Sequence, residues 1–140
     1  MKHTTREQLV ARFHNAMGLD VESQPRTSLI KLRRSLLREE FDEVVEALDV
    51  IEMEIIRGKK GTKEQWANLL KELADLQYVL SGTIVSFNPI ANSFTPAFNR
   101  VHDSNMSKLG YDGKPVYRQD GKVTKGPNYK EPKLGDLIHV

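Results

Sequence analysis

The sequence contains no cysteine, and only 7% of its 140 residues are aromatic. Without cysteine, neither a disulfide scaffold nor a thiolate metal site can form, and the composition suits a reducing compartment. No apolar run approaches the length needed to span a bilayer, and the N-terminal residues lack the hydrophobic stretch of a secretion signal. We therefore predict a cytoplasmic protein with no membrane contact, folded as one domain of ordinary size.

Charge is unevenly distributed along the chain, although the formal net charge is only +2. Residues 39–54 include eight acidic side chains and no basic one, whereas residues 108–130 include six Lys or Arg and two Asp. An acidic pocket loaded with cations, next to a basic segment, would suit a polyphosphate substrate.

Capping patterns predict two helices in the first part of the chain. The capping box Thr4-x-x-Glu7 predicts a first helix, which Gly18 would end. Ser28 is a suitable N-cap for a long second helix that ends before Gly58.

A third helix is predicted after the turn that follows Gly58. Thr62-x-x-Gln65 is another capping box, and the helix that it opens extends to about Phe87. Because a very short turn joins the two long helices, we expect them to pair as an antiparallel hairpin.

The last part of the chain predicts one more helix and an irregular tail. Thr95-Pro96 would open a helix that ends near Lys108, and Asp120-Gly121 indicates a small hairpin in the Gly-, Pro- and Lys-rich segment beyond it. The predicted fold is all-α, with two long and two shorter helices. Residues 1–108 form its core, and residues 109–140 form a basic C-terminal extension of the same domain.

The predicted helices carry more apolar surface than one chain would bury, which suggests self-association. The buried stripe of the first helix is expected to consist of Leu9, Val10, Phe13 and Met17. Apolar surface left for a second copy to cover is expected at Ile84, Val85, Phe87 and Ile90. A four-helix-bundle-like core would then be completed by oligomerisation.

Two acidic pairs lie where an amphipathic helix should be apolar. At about 100° per residue, Glu40 falls inside the apolar arc of the second helix and Glu43 lies at its rim. Glu72 and Asp75 show the same offset on the third helix. A buried carboxylate is costly unless a cation compensates it, and oxygen ligands favour Mg²⁺, Mn²⁺ or Ca²⁺. The pattern predicts a divalent metal site.

Two structural explanations compete with a metal site. Most acid-rich helix faces are simply solvated. A buried glutamate can also pair with an arginine, and Arg33 and Arg34 are the candidates here. The histidines His14 and His102 are expected to be packing or surface residues, because neither belongs to a metal-spaced histidine motif.

The pattern Glu39-Glu40-x-x-Glu43 followed by Glu72-x-x-Asp75 resembles the signature of the all-α nucleoside triphosphate pyrophosphohydrolases. That superfamily includes MazG-like proteins, dimeric dUTPases and phosphoribosyl-ATP pyrophosphohydrolase. The segment His102-Asp103-Ser104-Asn105-Met106-Ser107-Lys108 is similar to the MazG-like branch related to dimeric dUTPases.

The resemblance implies roles for particular residues. It implies that Mg²⁺, or Mn²⁺ as a substitute, is bound by Glu40, Glu43, Glu72 and Asp75. Glu39 would act as the general base, while Asn105 and Lys108 would bind the phosphates or sugar of the substrate. In the reaction that follows, Lys108 and some of Lys114, Arg118, Lys122 and Lys125 could neutralise charge on the departing pyrophosphate. It also favours a homodimer or homotetramer.

The implied reaction is hydrolysis of an NTP or dNTP between its α and β phosphates. An alternative is a different pyrophosphate linkage, such as that of phosphoribosyl-ATP. A non-catalytic helical module that binds nucleic acid through its basic tail is a third hypothesis, which the acidic face disfavours because it would repel phosphates.

Overall fold

The computed structural model describes residues 3–140, so Met1 and Lys2, on which the predicted lack of a secretion signal partly rests, lie outside it. The helices are α1 (Arg6–Met17), α2 (Thr27–Ile56), α3 (Lys63–Ser86), α4 (Phe94–Met106) and a short 3₁₀ helix, Gly135–Leu137. Over the described residues there is no extended strand, which confirms the predicted all-α fold. None of these helices is both long and apolar enough to cross a bilayer.

The capping box of α1 lies one residue later than predicted. Thr5 Oγ1 accepts a hydrogen bond from the backbone N–H of Gln8, and Gln8 Oε1 accepts one from the N–H of Thr5. Both Thr4-x-x-Glu7 and Thr5-x-x-Gln8 fit the motif, but Glu7 is used elsewhere, because its carboxylate accepts from Ser81 Oγ on α3 at 2.8 Å. Gly18 ends the helix as predicted, at φ +70°.

Two other helix starts differ from the prediction. Helix α2 begins at Thr27 with Arg26 as N-cap, and Ser28 instead accepts a hydrogen bond from Arg26 Nε. Helix α4 begins at Phe94, two residues before the predicted start, and ends at Met106. Pro96 therefore lies in the first turn and not at the first position, which costs little because first-turn N–H groups have no partner within the helix.

The chain divides into two compact units, Met1–Ala91 and Asn92–Val140. In the first unit, α3 packs against both α1 and α2. The α2–α3 contact encloses the main apolar core, which consists of Val44, Ala47, Ile51 and Leu69 with Leu76 beside them. The antiparallel hairpin is thus present. The predicted division into a core over 1–108 and an extension over 109–140 stays a prediction.

The prediction of a buried apolar stripe on α1 is wrong except at Val10, which is buried. Leu9, Phe13 and Met17 are exposed, whereas His14 is buried and its Nδ1 lies 2.8 Å from the carbonyl oxygen of Asp20. Helix α1 therefore packs against the hairpin partly through polar side chains.

The prediction of apolar surface at the end of α3 is wrong at Ile84 and Val85, which are buried, whereas Phe87 and Ile90 are half-buried. The segment after α1 covers the two buried residues. Glu22 and Ser23 donate backbone hydrogen bonds to the carbonyls of Val85 and Ser86, and Ser23 forms a parallel bridge with Phe87. Large exposed apolar side chains instead lie along the hairpin, at Phe41, Leu48, Ile55, Trp66 and Leu70.

The second unit contains α4 and the irregular tail. Arg100 on α4 forms two hydrogen bonds with the carboxylate of Asp136, of 2.6 and 3.0 Å, and Ser93 donates to the carbonyl of Leu137. The predicted small hairpin is present as a single antiparallel bridge between Tyr117 and Val123.

Candidate metal centre

Four carboxylates meet in the seam between the two long helices. Glu40 and Glu43 lie almost one turn apart on α2, and Glu72 and Asp75 have the same spacing on α3. One oxygen of each of these four residues lies within 4.8 Å of those of the other three. The register of the hairpin thus brings together the two pairs that the helical phase had singled out.

The four carboxylates differ in how far they are removed from water. Glu72 is buried, Glu40 and Asp75 are half-buried, and Glu43 is exposed. Within the described part of the chain, Oε2 of Glu40 and Oε2 of Glu72 are shielded from solvent and have no hydrogen-bond partner. A buried oxygen without a donor costs free energy, so these two atoms call for a partner of positive charge.

Arginine does not provide that partner. Arg33 is buried, but its Nη2 donates to the carbonyl of Val79 at 2.8 Å and its Nε donates to Thr83 Oγ1 at 3.2 Å. Burial lowers the pKa of Arg33 from its usual value. No ion pair found in residues 3–140 joins this guanidinium to the acids, so the proposed pairing of a buried glutamate with Arg33 is not observed.

A lysine that sequence reasoning missed does contact the cluster. The ammonium of Lys71 lies 2.8 Å from Asp75 Oδ2 and 3.3 Å from Glu72 Oε1. Hydrogen bonds to these two carboxylates, first Asp75 and then Glu72, raise the pKa of Lys71. Its four-residue spacing from Asp75 is the ordinary pattern of a helical ion pair and could have indicated this contact.

The neighbouring carboxylates raise the pKa of Glu43. As ions, Glu43 and Glu72 can only accept hydrogen bonds, so a proton on one of them can be shared with the other. That shared hydrogen bond, together with the charges of Glu40 and Glu72, raises the pKa of Glu43 from 4.5 to about 7. Below about pH 7, a proton on Glu43 therefore offsets part of the negative charge that a metal ion would otherwise offset.

The donor set suits a hard divalent cation. All four candidate ligands are carboxylate oxygens, which are the ligands preferred by Mg²⁺, Mn²⁺ and Ca²⁺. Such an ion would provide a partner for the two buried oxygens that have no donor within residues 3–140. The cluster could hold a divalent metal ion.

The other predicted site residues lie outside this cluster of four. Glu39 precedes Glu40 on α2 and is exposed. In the second unit, Asn105 lies in the last turn of α4, Lys108 follows that helix, and Lys122 lies in the small hairpin. The ammonium of Lys125 lies 4.7 Å from the centre of the Tyr129 ring. Their roles toward a substrate stay predictions.

A helical hairpin with acidic pairs facing each other across its seam is compatible with the superfamily that the sequence resembles. The profile of the phosphoribosyl-ATP pyrophosphohydrolase family matches residues 10–105, and the chain belongs to this family, within the MazG-like all-α superfamily. The predicted resemblance is confirmed. Membership of this family supports a pyrophosphohydrolase that acts on nucleotide-like substrates. No curated protein matches the chain. The match covers all four carboxylates and ends at Asn105, before the basic tail.

Proposed function

We propose that this protein hydrolyses a nucleoside or deoxynucleoside triphosphate between the α and β phosphates, releasing the monophosphate and pyrophosphate, with Mg²⁺ as cofactor. The observation that supports it most is the set of four carboxylates with oxygens within 4.8 Å of one another, two of which carry a buried oxygen without a donor. The family match supports cleavage of a pyrophosphate linkage in a nucleotide.

The proposed ligands of the ion are Glu40, Glu43, Glu72 and Asp75. Bound there, Mg²⁺ would neutralise polyphosphate oxygens and lower the pKa of the attacking water. Mn²⁺, which prefers similar oxygen ligands, would serve as a substitute.

Glu39 is the proposed general base. Its exposed carboxylate, next to Glu40 on α2, would accept a proton from the attacking water. The water oxygen bonds to the α-phosphorus, and the bond between that phosphorus and the bridging oxygen breaks. The bridging oxygen leaves with the pyrophosphate and takes the bonding electron pair.

Residues of the second unit are the proposed partners of the substrate. Asn105 and Lys108 would bind the phosphates or the sugar, while Lys122 and Lys125 would compensate the charge of the departing pyrophosphate. Asn105, Lys122 and Lys125 are exposed, so a ligand can reach them.

Phosphoribosyl-ATP is the second candidate substrate, and the description of the matching family favours it. Its triphosphate offers the same α–β linkage, so the same residues would act in the same roles. The two candidates differ in the group attached to the base.

We also propose that the chain works as a homodimer or homotetramer in the cytoplasm. The exposed apolar side chains along the hairpin, Phe41, Leu48, Ile55, Trp66 and Leu70, provide the surface that a second copy would cover. Size-exclusion chromatography with light-scattering detection should give a molar mass two or four times that of one chain. The mass of one chain would contradict this proposal.

A substrate panel in H₂¹⁸O tests the proposed reaction. Common NTPs, dNTPs and phosphoribosyl-ATP are incubated with Mg²⁺ or with EDTA, and products are separated and analysed by mass spectrometry. We expect pyrophosphate from at least one triphosphate with Mg²⁺ only, and ¹⁸O in the monophosphate, because water attacks the α-phosphorus. Turnover of phosphoribosyl-ATP alone would favour the second candidate. Salt-dependent binding of DNA or RNA without any hydrolysis would overturn both.

A further inference from the structure

The two oxygens of the Glu72 carboxylate have different surroundings. Oε1 accepts a hydrogen bond from the Lys71 ammonium at 3.3 Å. Oε2 is shielded from solvent and has no partner among the described residues. The side chain of Glu72 is 11% exposed, while that of Lys71 is 64% exposed, so the ammonium contacts the carboxylate from its solvent-facing side.

The same ammonium also holds the second acid of α3. Lys71 Nζ lies 2.8 Å from Asp75 Oδ2, which makes one lysine a bridge between the two candidate ligands that α3 contributes. No lysine or arginine ion pair with Glu40 or Glu43 is found over residues 3–140. Lys71 therefore compensates charge on one side of the seam only.

We propose that Lys71 is a positioning residue of the metal centre, which engages Oε1 of Glu72 and Oδ2 of Asp75 and thereby leaves Oε2 of Glu72 for a divalent ion. This inference rests on the proposed function, because it presumes that the four carboxylates bind a metal. Groups that hydrogen-bond the ligands of a metal ion restrict the orientation of those ligands, and loss of such a group weakens binding about 10- to 100-fold.

An opposite role would be competition, in which Lys71 acts as a resident cation that the metal must displace. The positions of the atoms argue against it. Within residues 3–140, the buried carboxylate oxygens that lack a partner are Oε2 of Glu40 and Oε2 of Glu72, and Lys71 contacts neither of them. Repulsion between an exposed ammonium and a bound ion is also screened by solvent and salt.

Isothermal titration of the full chain with Mg²⁺ alone, without nucleotide, tests this role. The variants are Lys71→Met, which keeps the aliphatic length without the charge, and Lys71→Arg, which keeps the charge. Lys63→Met is the matched control, since Lys63 is an exposed lysine on the same helix. We expect Lys71→Met to bind Mg²⁺ about tenfold more weakly than the wild type, with binding by Lys71→Arg largely restored and binding by Lys63→Met unchanged.

The outcomes separate this inference from the proposed function. If the wild type binds Mg²⁺ and Lys71→Met binds it equally well or more tightly, the positioning role is wrong. Failure of Lys71→Arg to restore affinity would also overturn it, because the bridging charge would not be what matters. If the wild type itself binds no divalent ion, the proposed function fails. Circular dichroism of each variant establishes that the helices are intact, and Lys71→Gln replaces Lys71→Met if that variant is unfolded.

Discussion

The seam between α2 and α3 has an acidic part and an apolar part, and the two are built on the same helical phase. In the acidic part the seam positions are Glu40 and Glu72. In the apolar part they are Val44, one turn after Glu40 on α2, and Leu69, one turn before Glu72 on α3. The apolar side chains are buried and packed together. In the acidic part, two buried oxygens have no donor among the residues that the structure describes, and the pKa of Glu43 is raised.

Within the hairpin, the apolar part of the seam therefore serves stability and the acidic part serves the proposed function. Burial of apolar surface in one part stabilises the hairpin. That stability allows the other part to hold like charges close together, which an isolated pair of helices would avoid. If this comparison is right, substitutions in the two parts should affect different measurements.

The largest effect is expected from Glu72→Gln. Glutamine has nearly the same shape as glutamate but no charge. We expect the rate of Mg²⁺-dependent pyrophosphate release to fall at least about 100-fold, because losing even a group that only hydrogen-bonds a metal ligand costs up to about 100-fold. Its folded structure without metal should remain, because the change removes repulsion between acids. The measurement is the rate of pyrophosphate release, with circular dichroism for folding.

Glu46→Gln is the matched control for that substitution, because Glu46 is an exposed acid on α2. It should keep wild-type turnover. Full activity in Glu72→Gln, or equal losses in both variants, would remove the distinction between the acidic part of the seam and the rest of the acidic surface.

The next effect is expected in the apolar part. Ile51 is only 4% exposed, so Ile51→Ala should lower the free energy of unfolding by about 2–5 kcal/mol. Mg²⁺ affinity of the protein that stays folded should change little, because the carboxylates remain. Urea denaturation and Mg²⁺ titration measure the two quantities. Val50→Ala, at a position 48% exposed on the same helix and not among the side chains proposed to contact a second copy, should cost less than about 0.5 kcal/mol.

A combined loss of stability and of metal affinity in folded Ile51→Ala protein would argue against the comparison. It would mean that the packing of the apolar part controls the geometry of the carboxylates, and that the two parts are one unit.

The smallest effect is a dependence of stability on pH. The pKa of Glu43 is raised from 4.5 to about 7, so the folded protein binds this proton more tightly than the unfolded chain does. Its contribution to stability is fully present below pH 4.5 and is lost as the pH rises through about 7. In EDTA, the melting temperature of the wild type should fall over this range relative to that of Glu43→Gln.

Mg²⁺ should reverse this trend, because the ion binds best after the proton has left. Melting curves from pH 5 to 8, with EDTA or Mg²⁺, test both statements. Parallel pH profiles of the wild type and Glu43→Gln in EDTA would show that Glu43 does not retain the proton.

Capping residues in the sequence predicted where most helices begin and end, but not which of two overlapping capping boxes is used. Gly18 and the box Thr62-x-x-Gln65 end and begin helices as expected. Thr4-x-x-Glu7 was the wrong box, because the overlapping pattern that starts at Thr5 leaves Glu7 free to meet Ser81. A contact between residues 74 positions apart cannot be read from a capping pattern.

Burial was harder to predict than helicity. Apolar spacing places a side chain on one face of a helix but does not say whether another element covers that face. Leu9 is therefore exposed, while Val85 is covered by the segment around Glu22. Lys71 was missed for a related reason, since an exposed lysine beside an acid is usually only a surface pair.

The sequence by itself determined the helices and the angular positions of the acids, because the α-helix advances by a constant angle per residue. Counting residues from the turn near residue 60 predicts that the two acidic pairs lie within a turn or two of the same depth. Only the tertiary structure decided the exact register that brings their oxygens together, which buried oxygens have no donor within residues 3–140, and where Arg33 and Lys71 bind. Depth depends on the register between two helices, and hydrogen bonding depends on side-chain conformations that neighbouring elements select. Neither is encoded by the periodicity of a single helix.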